Sequence, residues 1–254
     1  MINEKRKRII RMKVNVFKKI DDVLNIIEKW ILLGGGQYVC VSNVHMCMEA
    51  YKDREFESIV NSAGLVIADG RPIVWGQRIL GAKNAIQIRG MDLMLELCTF
   101  AQKQGFSVGF FGSSEKVLQN LCERLKDRFP DLLIDFQMSP PFRELEASEE
   151  DGIVEMINFS NIDLLFVGLG CPKQEKWMSR MRDRVDCVLV GVGAAFDFVA
   201  GTKKAAPKFM NKLGLEWFFR LFCEPRRLWR RYLLNNPMFI FLFIKQFFFE
   251  NKVK

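Results

Sequence analysis

Six short apolar runs, at 38–41, 65–68, 107–111, 132–136, 163–167 and 187–190, alternate with stretches of helical periodicity. This alternation is the strongest constraint on the fold. Strands that are apolar on both faces and separated by helix-length crossovers must pair in parallel, with helices covering both faces of the sheet. The helices are expected at 14–32, 44–60, 72–80, 91–104, 114–128, 149–159, 173–183 and 206–222. In such α/β sheets, ligands bind beyond the carboxyl ends of the strands. Function is therefore expected in the strand-to-helix loops.

A length of 254 residues accommodates one α/β domain plus an appendage, and 49% hydrophobic residues can fill its core. No stretch reads as long and apolar enough to span a bilayer. The basic start Met1-Ile2-Asn3-Glu4-Lys5-Arg6-Lys7-Arg8 lacks the apolar run of a secretory signal, so a cytoplasmic location is expected. Seven cysteines are scattered without a CxxC pair, which argues against a disulfide framework or a zinc cluster. His45 is the only histidine, and there is no DxD string. No metal site or cofactor is expected. The chemistry must rest on carboxylates, hydroxyls, amides and arginines.

The net charge of +8 is unevenly placed. Residues 202–254 hold twelve Lys/Arg against three acids, residues 1–13 hold six against one, and the stretch between them is net −6. The chain thus divides into a globular domain, 1–201, acidic beyond its basic start, and a basic appendage, 202–254. Two basic ends point to a polyanionic partner surface, either anionic lipid or nucleic acid. In the appendage, Pro225 suits a helix start, and Arg226/Arg230 and Arg227/Arg231 are i,i+4 pairs that read as one broad cationic face. Beyond Asn235-Asn236-Pro237 lies the run Met238-Phe239-Ile240-Phe241-Leu242-Phe243-Ile244-Lys245-Gln246-Phe247-Phe248-Phe249, suited to the membrane interface and too short to cross, with a core-packing terminal helix as the alternative. Nucleic acid would explain the arginines but not the phenylalanines, so an anionic membrane surface is the expected partner.

Five loops carry candidate residues. Ser42 and Asn43 follow the first strand, where a helix cap is the other use of either side chain. Asp69, in Ala68-Asp69-Gly70-Arg71-Pro72, puts a carboxylate at the active edge of the sheet, with a helix cap or Asx-turn as the competing role. Gly112-Ser113-Ser114 is a strand–glycine–hydroxyl–helix arrangement of the anion-binding kind, with helix capping as the competing role. Gly168-Leu169-Gly170-Cys171-Pro172-Lys173-Gln174-Glu175 is the most specific string; its glycines allow close backbone approach, and Lys173 and Gln174 lie in the first helical turn. Asp197 follows the last strand, with a structural helix-end role as the alternative.

Together these strings resemble the WecG/TagA/CpsF family of bacterial glycosyltransferases. The match also takes in Arg89-Gly90-Met91-Asp92-Leu93, Gly191-Val192-Gly193-Ala194-Ala195-Phe196-Asp197, Gly214-Leu215-Glu216-Trp217 through Arg220-Leu221, and Glu224 through Tyr232. The resemblance implies a Rossmann-like domain with a C-terminal helical appendage that engages the membrane and helps complete the active site. It implies inverting transfer of a sugar (N-acetylhexosamine, hexose or uronic acid) from a UDP-sugar to an undecaprenyl-diphosphate-linked saccharide, without a required metal. Asp69 stands as general base, and Ser42 where the family usually has Thr. Asn43, Gln87, Arg89, Gly112, Ser113, Gly170, Lys173, Gln174 and Asp197 are donor-site candidates. Arg220, Arg226, Arg227, Arg230 and Arg231 are acceptor or membrane candidates. Two departures stand out: Gln87 occupies a position that is often Arg, and Ala205-Ala206-Pro207 replaces Arg-Ala-Pro, leaving Arg89, Lys203 or Lys204 to compensate. The rival reading is a non-catalytic, membrane-bound nucleotide-sugar scaffold. Homo-oligomer formation is left open.

Overall fold

The structure, a computed structural model, describes residues 5–207, 210 and 214–250. It opens with an antiparallel hairpin of Arg6–Ile9 (β1) and Met12–Asn15 (β2). This corrects the helix expected over 14–32, because α1 occupies only Ile20–Leu32. Met12 and Val14 are buried while Lys13 between them is exposed, which is strand alternation. The buried Asn15 side chain accepts the Val66 N–H at 2.8 Å and ties the hairpin to the main sheet.

The expected strands all form, within two residues at each end. They are Tyr38–Ser42 (β3), Leu65–Ala68 (β4), Ser107–Gly112 (β5), Leu133–Met138 (β6), Leu164–Gly168 (β7) and Val188–Gly191 (β8). They make one parallel sheet in the order β4-β3-β8-β7-β5-β6. The interleaved helices are Val44–Lys52 (α2), Arg54–Ser62 (α3), Arg71–Ile79 (α4), Gly90–Gln104 (α5), Glu115–Arg128 (α6), Ala147–Phe159 (α7), Lys173–Met181 (α8) and Ala195–Val199 (α9). One core layer packs α2, α3, α4, α7 and α8 against Tyr38, Cys40, Leu165 and Leu189. The other packs α1, α5, α6 and α9 against Val39, Val41, Phe166 and Val190. Alternate strand residues thus feed opposite layers, which is why the strands read as unbroken apolar runs.

The single helix expected over 44–60 is two. Asp53 ends α2, and its carboxylate accepts the N–H groups of Glu55 and Phe56 at 2.9 and 3.1 Å to start α3. Of the helix expected over 206–222, residues 208, 209 and 211–213 lie outside the described residues; the described part forms Glu216–Cys223 (α10).

The helix does not break at Asn235-Asn236-Pro237. Pro225–Lys245 (α11) runs through Pro237 and continues as a π-helical turn over Gln246–Glu250. An interior proline costs about 3 kcal/mol, so packing must offset it. Leu228, Asn235, Phe239 and Gln246 form one buried stripe along the helix. Asn235 accepts from Lys52 Nζ at 3.2 Å, and the Gln246 amide accepts the Ile10 N–H at 2.7 Å and donates to the Arg8 carbonyl at 2.8 Å. By length and composition Pro225–Phe249 is apolar enough to cross a membrane, contrary to the expectation of no such stretch. Here it is fastened along its length to α2 and the β1–β2 turn. Its other face leaves Leu233, Leu234, Ile240, Phe241 and Ile244 exposed.

Candidate active site

The carboxyl ends of β3, β4 and β8 open onto a cavity of about 200 Å³, roofed by α10 and α11. Asp69 lies half-buried in its wall, immediately after β4. Its backbone N–H donates to the Ser42 carbonyl at 2.9 Å, which fixes the loop after β4 against the end of β3. Gly70 makes that approach possible, since a Cβ there would lie 3.2 Å from both Cα and Cβ of Asn43.

Three groups hold the Asp69 carboxylate. The Gly90 N–H donates to Oδ1 at 3.1 Å, the Asn43 amide hydrogen-bonds it, and Arg220 faces it from α10. Burial and the nearby Glu216 charge outweigh them and push the Asp69 carboxyl up to about 6. Asn43 has a double role, because its Oδ1 also caps α2 by accepting from His45 and Met46 N–H at 3.0 and 3.3 Å.

The opposite wall is cationic. Arg220 is ion-paired with Glu216 and stacks over the Phe198 ring at 4.7 Å, with its Nε buried and unpartnered among the described residues. Arg227 and Arg231 also line the cavity. Arg227 is forked to Glu224 at 2.5 and 2.9 Å. Burial lowers the Arg231 guanidinium from its ordinary range. Arg89 joins from the start of α5, forked to Asp92 at 2.7 Å through two nitrogens. Gln174 forms part of the floor, its Oε1 accepting the Gly170 N–H at 3.2 Å and its Nε2 donating to Glu175 at 2.7 Å.

Of the residues singled out from sequence, Asn43, Asp69, Arg89, Gly170, Gln174, Arg220, Arg227 and Arg231 therefore meet at one cavity. The others do not reach its wall. The fully buried Ser42 hydroxyl donates to the Ile67 carbonyl at 2.8 Å, joining two strands. Gln87 donates to the Asp69 backbone carbonyl at 2.6 Å and so supports the loop after β4 from behind. Gly112 packs against Gly168, where a Cβ would lie 2.7 Å from the Gly168 carbonyl carbon, and the Ser113 carbonyl accepts from Ser139. Ser114 caps α6. Lys173 is exposed. Asp197 is engaged by Lys203 Nζ at 3.2 Å, and Lys203 also lies within ion-pair distance of Glu224. Arg226, Arg227 and Arg230 are all exposed, but Arg227 lines the cavity together with the half-buried Arg231, so the expected single cationic face is split between two arginines at the cavity and two away from it.

Two acidic residues of the site were not singled out. Glu216 lines the cavity from α10. Glu175 is fully buried beneath Gln174, with Oε2 unpartnered among the described residues, and burial pushes its carboxyl up to about 7. Both fall inside strings already noted, and the specific signal was a carboxylate within an otherwise apolar or cationic segment. Among the described residues no three His, Cys, Asp or Glu side chains gather so as to hold a metal ion.

A parallel α/β sheet with a carboxylate at its carboxyl edge, faced by arginines from an added helical roof, has the layout of a group-transfer enzyme for an anionic substrate. Residues 7–253 match the Glycosyl transferase WecG/TagA/CpsF family, and the chain belongs to it. It is similar to the N-acetylglucosaminyldiphosphoundecaprenol N-acetyl-beta-D-mannosaminyltransferase of Bacillus spizizenii, 29% identical over 211 residues, covering 83% of this chain and 79% of the relative. The protein of the same name from Bacillus subtilis is 27% identical over 212 residues, covering 83% and 80%. That from Staphylococcus aureus is 28% identical over 209 residues, covering 82% and 80%.

Proposed function

We propose that this glycosyltransferase moves a sugar, with inversion and without a required metal, from a UDP-sugar to an undecaprenyl-diphosphate-linked saccharide at the inner face of the plasma membrane. The observation that carries the reading is the convergence of Asp69 and the Arg89, Arg220, Arg227 and Arg231 guanidinium groups on one cavity. Single displacement needs a base for the acceptor hydroxyl and charge stabilisation for the departing diphosphate. As the acceptor oxygen bonds to the anomeric carbon, its proton passes to Asp69 and the bond to UDP breaks. The electron pair stays on the diphosphate, where the arginines meet the added charge. A carboxyl raised to about 6 is ionised at neutral pH and takes a proton more readily than an ordinary Asp. The acceptor class is supported by the names of the relatives, which act on N-acetylglucosaminyldiphosphoundecaprenol. A membrane location is supported by the exposed Leu233, Leu234, Ile240, Phe241 and Ile244 of α11, the helix that also exposes Arg226 and Arg230.

The test is UDP release in the presence of a short-chain, lipid-diphosphate-linked N-acetylglucosamine, with a panel of UDP-sugars. Asp69→Asn should lower kcat by roughly 10²–10⁴-fold while circular dichroism and UDP binding stay unchanged. Near-wild-type turnover in that variant would remove Asp69 as the base. Wild-type protein that binds UDP-sugars but never releases UDP would favour a non-catalytic scaffold.

A further inference from the structure

The cavity holds a second carboxylate that phosphate chemistry does not explain. Glu216 opens α10, is about three-quarters shielded with a side-chain exposure of 26%, and lines the same cavity as Asp69. Four guanidinium groups share that wall. A carboxylate placed among them repels a diphosphate and cancels part of their field. An ion pair one turn along a helix does not call for a pocket, and surface positions supply such pairs readily. Glu216 nonetheless faces inward, paired to Arg220. An ionised carboxylate has about four acceptor positions, and a partner such as Arg220 leaves some of them open. What an acceptor-only group recognises is a hydroxyl or an amide N–H. Sugar rings present both.

We propose, on the reading of this cavity as a glycosyltransferase site, that Glu216 is its sugar-reading carboxylate, accepting hydrogen bonds from a hydroxyl or amide N–H of a sugar ring held between α10 and the loop after β4. The division of labour is then chemical. The arginines take the diphosphate, Asp69 takes the proton, and Glu216 fixes which sugar is held. Because Glu216 comes from the appendage, selectivity depends on α10 being seated on the sheet edge. A site built to bond a hydroxyl rejects a ligand lacking it strongly, since the buried acceptor is then left unpaired.

The chemistry admits either the donor sugar or the acceptor sugar, and binding measurements on the full chain separate them. Glu216→Gln keeps the shape, and Glu216→Ala removes the acceptor altogether. Calorimetry with UDP, UDP-N-acetylmannosamine and UDP-N-acetylglucosamine is paired with kinetics on the short-chain lipid-linked N-acetylglucosamine. Neither variant should lose UDP affinity, since both take a repelling charge away from the diphosphate. If the donor is read, the extra affinity that the sugar adds to UDP falls about tenfold or more. If the acceptor is read, its KM rises by a similar factor with donor affinity intact. Parallel loss of UDP and UDP-sugar affinity overturns the proposal, because Glu216 would then act only by holding Arg220. Unchanged affinities and KM, with only the acidic limb of the rate profile displaced, also overturn it, because Glu216 would then act on Asp69 through charge. Wild-type protein that neither binds nor transfers these sugars fails earlier, and takes the UDP-sugar reading down with it.

Discussion

Asp69, Glu175 and His45 give this molecule a pH dependence that can be worked out with signs. Burial and Glu216 hold the Asp69 carboxyl at about 6, so kcat/KM should fall below pH 6 and level off above it, as protonation removes the base. Stability follows a different rule. Asp69 rises from 3.8 to about 6 and Glu175 from 4.5 to about 7, so the folded state holds protons that the unfolded chain releases. Their contribution is fully present below pH 4 and is lost as pH rises through 7. His45 is lowered from 6.5 to about 4, chiefly by burial and then by Arg231, and its contribution is lost as pH falls through that window. The slopes oppose each other. Glu175→Gln should therefore unmask a rise in stability from pH 4.5 to 7, exceeding wild type at pH 8 by up to about 3 kcal/mol in urea denaturation. An unchanged difference between pH 5 and pH 8 would count against a buried, late-titrating Glu175. Asp69 was legible in sequence, because an Asp closing an apolar strand lands at the sheet's active edge. Glu175 was not, because helical spacing alone does not say which polar residue of a first turn points inward.

The strand ends show where element-level reading succeeds and where it misassigns cause. Six strands buried on both faces announce themselves by composition, and all six formed. The β1–β2 hairpin did not, since Val14, Val16 and Phe17 also satisfy helical spacing when joined to the residues of α1. The glycines of Gly168-Leu169-Gly170 were read as room for a ligand. Gly168 instead makes room for protein, because a Cβ there would lie 2.6 Å from the Phe196 ring, which packs on Phe110 at 5.7 Å. Gly170 has open space around it but a φ of +80°, and its N–H is held by Gln174. The two sites should differ on substitution. Gly168→Ala should destabilise by about 1–3 kcal/mol through overpacking, whereas Gly170→Ala should cost about 1 kcal/mol for its left-handed backbone and displace Gln174 from the cavity floor. Thermal melts alongside UDP binding would check this, with stability loss dominant in the first variant and binding loss in the second.

At the scale of the whole molecule, the proposed function gives the appendage two jobs, and α11 would separate them by face. Charge counting along 202–254 identified a basic segment, and α11 adds a row of exposed apolar residues to it. What i,i+4 spacing could not show is which arginine pair turns toward the body. The buried stripe of Leu228, Asn235, Phe239 and Gln246 settles the rotation of the helix, and with it places the half-buried Arg231 and the more exposed Arg227 at the cavity and Arg226 and Arg230 away from it. The pairs should therefore fail differently. Arg226→Glu with Arg230→Glu should weaken sedimentation with vesicles containing anionic phosphatidylglycerol, since each basic residue near such a surface contributes about 1 kcal/mol. Turnover on a water-soluble, short-chain acceptor should persist. Arg227→Ala with Arg231→Ala should depress that soluble turnover by about 10²-fold or more and leave vesicle binding largely in place. Adding salt should release wild-type protein only in part, because screening weakens the outward arginines but not burial of the Phe241 and Ile244 face. Equal loss of both activities in both double variants would mean that α11 does not present two separate faces, and the appendage would have to be treated as a single binding element.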